Sequence, residues 1–185
     1  MARARSDRRS VRAFEVTNGD TNWEQRLDDL WRALDGYAAE AFVAEMDRLV
    51  AELQTGSAIG LFERGSAQDS TGHPERAVPL YRAGLAAGLG DGRRRRATIQ
   101  LASSLRSLGD AVESARLLTA ELDAPSDELD GAVHGFLALA LVDVGREGEA
   151  VAISLRALAG YLPRYSRSLA RYAAKLQGAS RDRSR

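Results

Sequence analysis

The sequence predicts an all-α fold, a solenoid of about nine helices paired as antiparallel hairpins and ended by a capping C-terminal helix. Three observations carry this. Glycines at Gly36, Gly72, Gly109 and Gly145 recur at intervals of 36, 37 and 36 residues. Each is followed at fixed offsets by a small residue (Ala41, Ala77, Ser114, Ala150) and by a leucine (Leu49, Leu85, Leu122, Leu158), and the last three are preceded by Gly65, Ala102 and Ala138. Between them, apolar residues recur with the helical period. A repeat of about 20–50 residues whose units cannot bury their own apolar faces marks a stacked architecture.

Each element follows in order. Residues 1–21 read as a disordered basic arm. Residues 22–55 read as an N-terminal hairpin: Trp23, Leu27, Leu30, Trp31 and Leu34 share one helical face, with Asn22 and Gln25 placed as a capping box. Asp35-Gly36 breaks it, and Phe42, Met46, Leu49, Val50 and Leu53 continue as a second helix. Residues 56–177 hold three further hairpins and the capping helix. Thr71-Gly72 is the first turn, with Pro74 at a tolerated first helical position and Pro79 placed to disturb the helix after it. Asp110 and Glu113 form a second capping box. Leu129, Val133, Phe136, Leu137, Ala140, Leu141 and Val144 form the apolar face of the last repeat's first helix. Pro163 opens the final helix, with Tyr165, Leu169, Tyr172, Ala173 and Leu176 on one face, and 178–185 is a polar tail. The small residues mark where paired helices cross closely, and the register leucines are expected to fill the space between hairpins.

Composition narrows the function. The chain has 185 residues, 26 basic and 26 acidic, and no Cys. Disulfides, thiolate metal sites and a cysteine nucleophile are excluded. The zero net charge divides unevenly. Residues 1–12 carry five Arg and one Asp, residues 164–185 carry six Arg, one Lys and one Asp, and the body between is acidic. Arg8-Arg9 has no apolar segment behind it to make an export signal, so a cytoplasmic location is expected.

Gly65, Gly72, Ala77, Tyr81 and Leu85 resemble the tetratricopeptide repeat. So do Ala102, Leu108-Gly109-Asp110, Ala115 and Leu122, and then Ala138, Gly145, Ala150, Ala157-Leu158 and Pro163. Residues 58–177 are similar to a small bacterial subfamily with about three such repeats, through stretches such as Leu80-Tyr81-Arg82, Arg95-Arg96-Ala97 and Ile99 to Arg106. The repeats are 36–37 residues long rather than 34, and Gly84 stands where the family has Ala. The resemblance implies a right-handed solenoid whose concave groove, lined by the first helix of each hairpin, binds a peptide or partner protein without catalysis or cofactor.

On that frame, Phe62, Ser66 and Asp69 line the groove in one repeat. Arg96, Ile99, Gln100, Ser103 and Arg106 do so in the next, and Ala132, Gly135, Leu139, Val142 and Asp143 in the last. Arg96, Gln100 and Ser103 make a donor stripe suited to a peptide carboxylate or main chain. The alternative is that these polar groups pair with one another or with Asp69 and Asp143. A carboxylate clamp is not expected, because Phe62, Ala132 and Phe136 stand where basic or Asn residues would be needed. The run Arg93-Arg94-Arg95-Arg96 reads as a solvated corner with one or two ion pairs, since successive helical residues point about 100° apart. The competing function is a nucleic-acid accessory protein working through the basic ends. It has less support, because no reader motif is present and aromatics do not interleave with the basic residues. Self-association as a homodimer, through the groove or the terminal helix, is the remaining variant. His73 and His134 lack the partners a metal or acid–base site needs, and Gly88 to Gly92 lacks the Lys-Ser/Thr of a phosphate loop. No metal, cofactor or membrane partner is expected.

Overall fold

The computed structural model describes residues 18–183; residues 1–17 of the predicted arm lie outside them, and its residues 18–21 are the first turn of a helix. Nine α-helices and no strand occur among the described residues. They are α1 (Asn18–Arg32), α2 (Ala39–Val50), α3 (Ala58–Ser70), α4 (Pro74–Ala86), α5 (Asp91–Ser107), α6 (Ala111–Glu121), α7 (Asp130–Asp143), α8 (Glu147–Tyr161) and α9 (Ser166–Arg183), with a short 3-10 turn at Leu34–Gly36. None is long and apolar enough to cross a membrane.

The chain divides into two compact units between Tyr37 and Ala38, inside the segment read as one hairpin. In the first unit α1 begins at Asn18, so Asn22 lies within the helix and is no cap. Trp23 and Leu27 are buried, and Leu30, Trp31 and Leu34 are half-buried.

In the second unit each helix packs against the next from α2 to α9, and α5 also touches α3 on one side and α7 on the other. Those three helices follow one another as one wall of the stack, the one that the resemblance assigns to the inner side. The turns between paired helices explain the glycine period. At Gly72, Gly109 and Gly145 φ is +86°, +91° and +75°. His73, Asp110 and Arg146 each donate their backbone N–H to a carbonyl five residues back, while each glycine donates to the one three back. This closes the helix C-terminus through a left-handed residue that favours glycine. Gly36 does not share the device: it ends the 3-10 turn. The first member of the sequence period is thus a glycine in a different conformation.

The small residues of the last three hairpins serve the crossings as expected, whereas Ala41 after Gly36 is exposed. A Cβ on Gly65 would stand 2.9 Å from the Tyr81 ring, and Ala77, Ser114, Ala102, Ala138 and Ala150 are buried. Phe62, Tyr81, Leu101 and Leu105 anchor one core cluster; Leu118, Val133, Leu137 and Leu141 anchor the next. The register leucines behave differently from expectation: Leu49 is buried and Leu85 half-buried, whereas Leu122 and Leu158 are exposed.

Local expectations fail in three places. Helix α4 runs through Pro79 without a break. The Asp110 carboxylate caps α6 by accepting from the Glu113 N–H at 3.1 Å, but the Glu113 side chain turns to Arg116 at 2.6 and 2.7 Å. Pro163 lies in the loop before α9, which starts at Ser166 behind Tyr165 at φ +67° and continues through the expected tail to Arg183.

Candidate functional site

The side chains expected on the groove divide into three groups. The first is structural. Phe62 is completely buried and Ser66 nearly so, because α3 is enclosed by α2, α4 and α5. Neither has surface to offer a partner. Ser66 donates to the Gln100 amide oxygen at 3.2 Å, tying α3 to α5. Asp69 accepts from Ser104 at 2.9 Å and from the Tyr81 hydroxyl at 3.4 Å. Burial raises the Asp69 pKa above the ordinary carboxylate value, and those two hydrogen bonds pull it back. The Tyr81 hydroxyl is pushed upward, first by burial and then by the Asp69 charge.

A second group pairs across the wall. Arg106 on α5 meets Asp143 on α7 at 2.7 Å, so the alternative of internal pairing holds for these two. Ion pairs also absorb most of the arginine run, which is not the solvated corner expected. Arg93 reaches Glu63 on α3 at 3.3 Å, and that carboxylate is 2% exposed. Arg94 makes a two-point contact with Glu121 on α6 at 2.7 and 3.0 Å. Arg95 is 4% exposed and meets Asp127, Asp130 at 2.7 Å and Glu121 at 3.5 Å. It also approaches the Pro125 carbonyl. The successive directions of a helix send three guanidiniums to the preceding hairpin, the same hairpin and the following one. The Asp130 carboxyl is held down to about 2, first by the hydrogen bond from the Ser126 hydroxyl and then by Arg95.

The third group remains accessible. Arg96 is exposed, and its guanidinium lies 5.4 Å from the centroid of the Phe62 ring, a cation–π seat that fixes its direction. No carboxylate faces it among the described ion pairs. Gln100 and Ser103 follow it on the same helical face, both half-exposed. A depression of about 560 Å³ beside Arg96 is bounded by Ile59, Arg93, Glu128 and Leu129. On α7, Gly135, Leu139 and Val142 share one exposed face; Leu139 and Val142 are 46% and 49% exposed. A Cβ on Gly135 would meet nothing within 4 Å, so the backbone there lies open.

The histidines add no chemistry. His73 stands at the start of α4, its Nδ1 3.4 Å from Glu75, and His134 is half-buried in α7. Among the described residues no cluster could hold a metal ion.

Sequence reasoning missed Glu63, Glu121, Asp127 and Asp130. They are the acids that neutralise the arginine run, and they stand 26 to 35 residues from their partners.

Comparison with known proteins gives one match. The family model described as tetratrico peptide repeat covers residues 58–176, from the start of α3 into α9. No curated protein and no solved structure matches.

Proposed function

Because the chain belongs to the tetratricopeptide repeat family, a family of protein–protein interaction modules, we propose that it is a non-catalytic module holding a peptide or partner segment against α5 and α7. The observation that carries this is the contrast along the inner wall. Arg93, Arg94, Arg95 and Arg106 have carboxylate partners within the chain, while Arg96 is exposed near the start of α5, and on α7 Leu139 and Val142 are exposed at the places that Ser103 and Arg106 hold on α5. The donors Arg96, Gln100 and Ser103 suit a carboxylate or main-chain carbonyls. The open backbone at Gly135 and the flanking apolar pair suit an apolar side chain. Phe62, Ser66 and Asp69 act as the supporting layer, and the Arg106–Asp143 pair sets the spacing of α5 and α7.

Peptides selected from a random library on the intact chain test the reading. Arg96→Glu and Leu139→Asp should each weaken the selected peptides by about 1–3 kcal/mol, the range of an interface anchor. Both side chains are exposed, so helicity should not change. Undiminished affinity in both variants, with helicity intact, would remove α5 and α7 as the binding surface.

A further inference from the structure

The last hairpin leaves open a face that the earlier hairpins fill. Within the repeat period, Val78, Tyr81 and Leu85 of α4 correspond to Ala115, Leu118 and Leu122 of α6, and to Val151, Ser154 and Leu158 of α8. In α4 and α6 the first two positions of this stripe receive the first helix of the next hairpin: Val78 and Tyr81 share a cluster with Leu101 of α5, and Ala115 and Leu118 share one with Val133 and Leu137 of α7, while Leu122, just past α6, stays exposed. In α8 all three positions are exposed: Val151 and Leu158 at 48% each, with Ser154 between them.

Helix α9 follows as the closing helix, but it sits on a different side of α8. It covers the stripe of Ala152, Leu155 and Ala159, where Ala152 and Ala159 are buried and Arg156 bonds Gln177. The counterparts of that stripe are Pro79, Arg82 and Ala86 in α4, and Arg116 and Thr119 in α6 with Asp123 just past it, all exposed. The seat of α9 is therefore turned about 100° around α8 from the seat a further repeat would take.

The turn has a consequence for α9 itself. Its contact stripe centres on Ala173, and Tyr172 and Leu176 precede that stripe by one position. Val151 and Leu158 precede the contact stripe of α8 in the same way. In an antiparallel pair, residues one position before each contact stripe fall on the same side of the hairpin. Val151 and Leu158 therefore fall on the same side of the hairpin as Tyr172 and Leu176, and all four are exposed. Exposed apolar side chains grouped on one side of a hairpin mark an interaction site. The outer rim beside Tyr172 is basic, through exposed Arg171 and Lys175.

We propose that this α8–α9 face docks an amphipathic helix of a partner protein whose apolar stripe is flanked by carboxylates. The stacking register supplies the shape, since the same face of α4 and of α6 already receives a helix. The rim supplies the sign of the charge. A second copy meeting this face through its own α9 would set Arg171 and Lys175 against their like, which is unfavourable. The site is separate from the α5–α7 wall, so either assignment can fail alone.

The test uses the intact chain and two designed 18-residue helical peptides with one leucine stripe, flanked by Glu in one and by Lys in the other, followed by fluorescence anisotropy. The Glu peptide should bind at least about tenfold more tightly than the Lys peptide, with a preference that shrinks as salt rises. Val151→Asp with Leu158→Asp should abolish that binding, whereas Leu139→Asp should leave it unchanged. Arg171→Glu with Lys175→Glu changes only exposed side chains and should reverse the peptide preference even if the apolar variant fails to fold. Equal binding of the two peptides, or a charge-reversed chain with unchanged preference, would overturn the proposal. So would a chain that sediments alone as a dimer and is made monomeric by Val151→Asp with Leu158→Asp, because the occupant would then be a second copy.

Discussion

Helices α5 and α7 occupy equivalent places on the inner wall and do opposite work. Along α5 nearly every polar side chain is committed: Arg93, Arg94 and Arg95 to acids of three hairpins, Gln100 to Ser66, Ser104 to Asp69, Arg106 to Asp143. Along α7 the accessible face is apolar and smooth, from Gly135 to Val142. The polar helix is tied into the stack, and the apolar one leaves Leu139 and Val142 exposed. Arg96 belongs to both roles, since Phe62 holds one face of its guanidinium while its donors point outward.

The sharpest way to break that division is to remove Arg95. Arg95→Ala leaves Glu121, Asp127 and Asp130 without their shared cation. The two aspartates are about a third exposed and recover some hydration. Even so, unfolding free energy in urea should fall by about 2–4 kcal/mol, toward the lower end for a fully buried pair. Loss below about 1 kcal/mol would show that the cluster is a solvated corner after all.

The glycine turns come next. Gly109→Ala places a side chain at φ +91° and should cost about 1–2 kcal/mol. Gly36→Ala, at a site without that backbone and with nothing within 4 Å of the new Cβ, should change stability by less than about 0.5 kcal/mol. Equal losses at the two sites would erase the distinction between the period's first member and the rest.

The smallest effects are in the pH dependence, and two aspartates have opposite signs. The raised pKa of Asp69 means the folded chain holds that proton more tightly than the unfolded one. Its stabilising contribution is present below the unfolded value of 3.8 and is lost as pH rises through the folded value. Asp69→Asn should therefore raise the melting temperature at pH 7 and not at pH 3. Asp130 runs the other way. Its pKa is lowered from 3.8 to about 2, so its contribution is present above pH 3.8 and is lost between there and about pH 2. Asp130→Asn should flatten that part of the acid melting curve.

These contrasts also show how far the sequence could be read. The hairpins were legible because a helix that ends through a left-handed residue needs glycine at a fixed place, and close crossings need small residues at fixed offsets. Gly72, Gly109 and Gly145 carry that requirement in their backbone angles. The same pattern included Gly36 by spacing alone, since spacing does not reveal φ. The wall was legible as a helix face, but not its accessibility. Phe62 lies on the expected side of α3 and is still buried, because helices on three sides enclose it. The arginine run was misjudged for a related reason. Its partners are distant in sequence, and only the stacking of hairpins brings Glu63, Glu121 and Asp130 to it. The seat of α9 depends on competition between two faces of α8 that both carry apolar residues, which the helical period alone does not decide.

The most direct measurement is an amide chemical-shift titration of the intact chain with a library-selected peptide. Perturbations should concentrate on residues 96–103 of α5 and 132–142 of α7, with little change at Glu63 or Glu121, whose side chains are tied into the stack. Shifts confined to α8 and α9, or to the outer faces of α4 and α6, would contradict the inner wall as the binding surface.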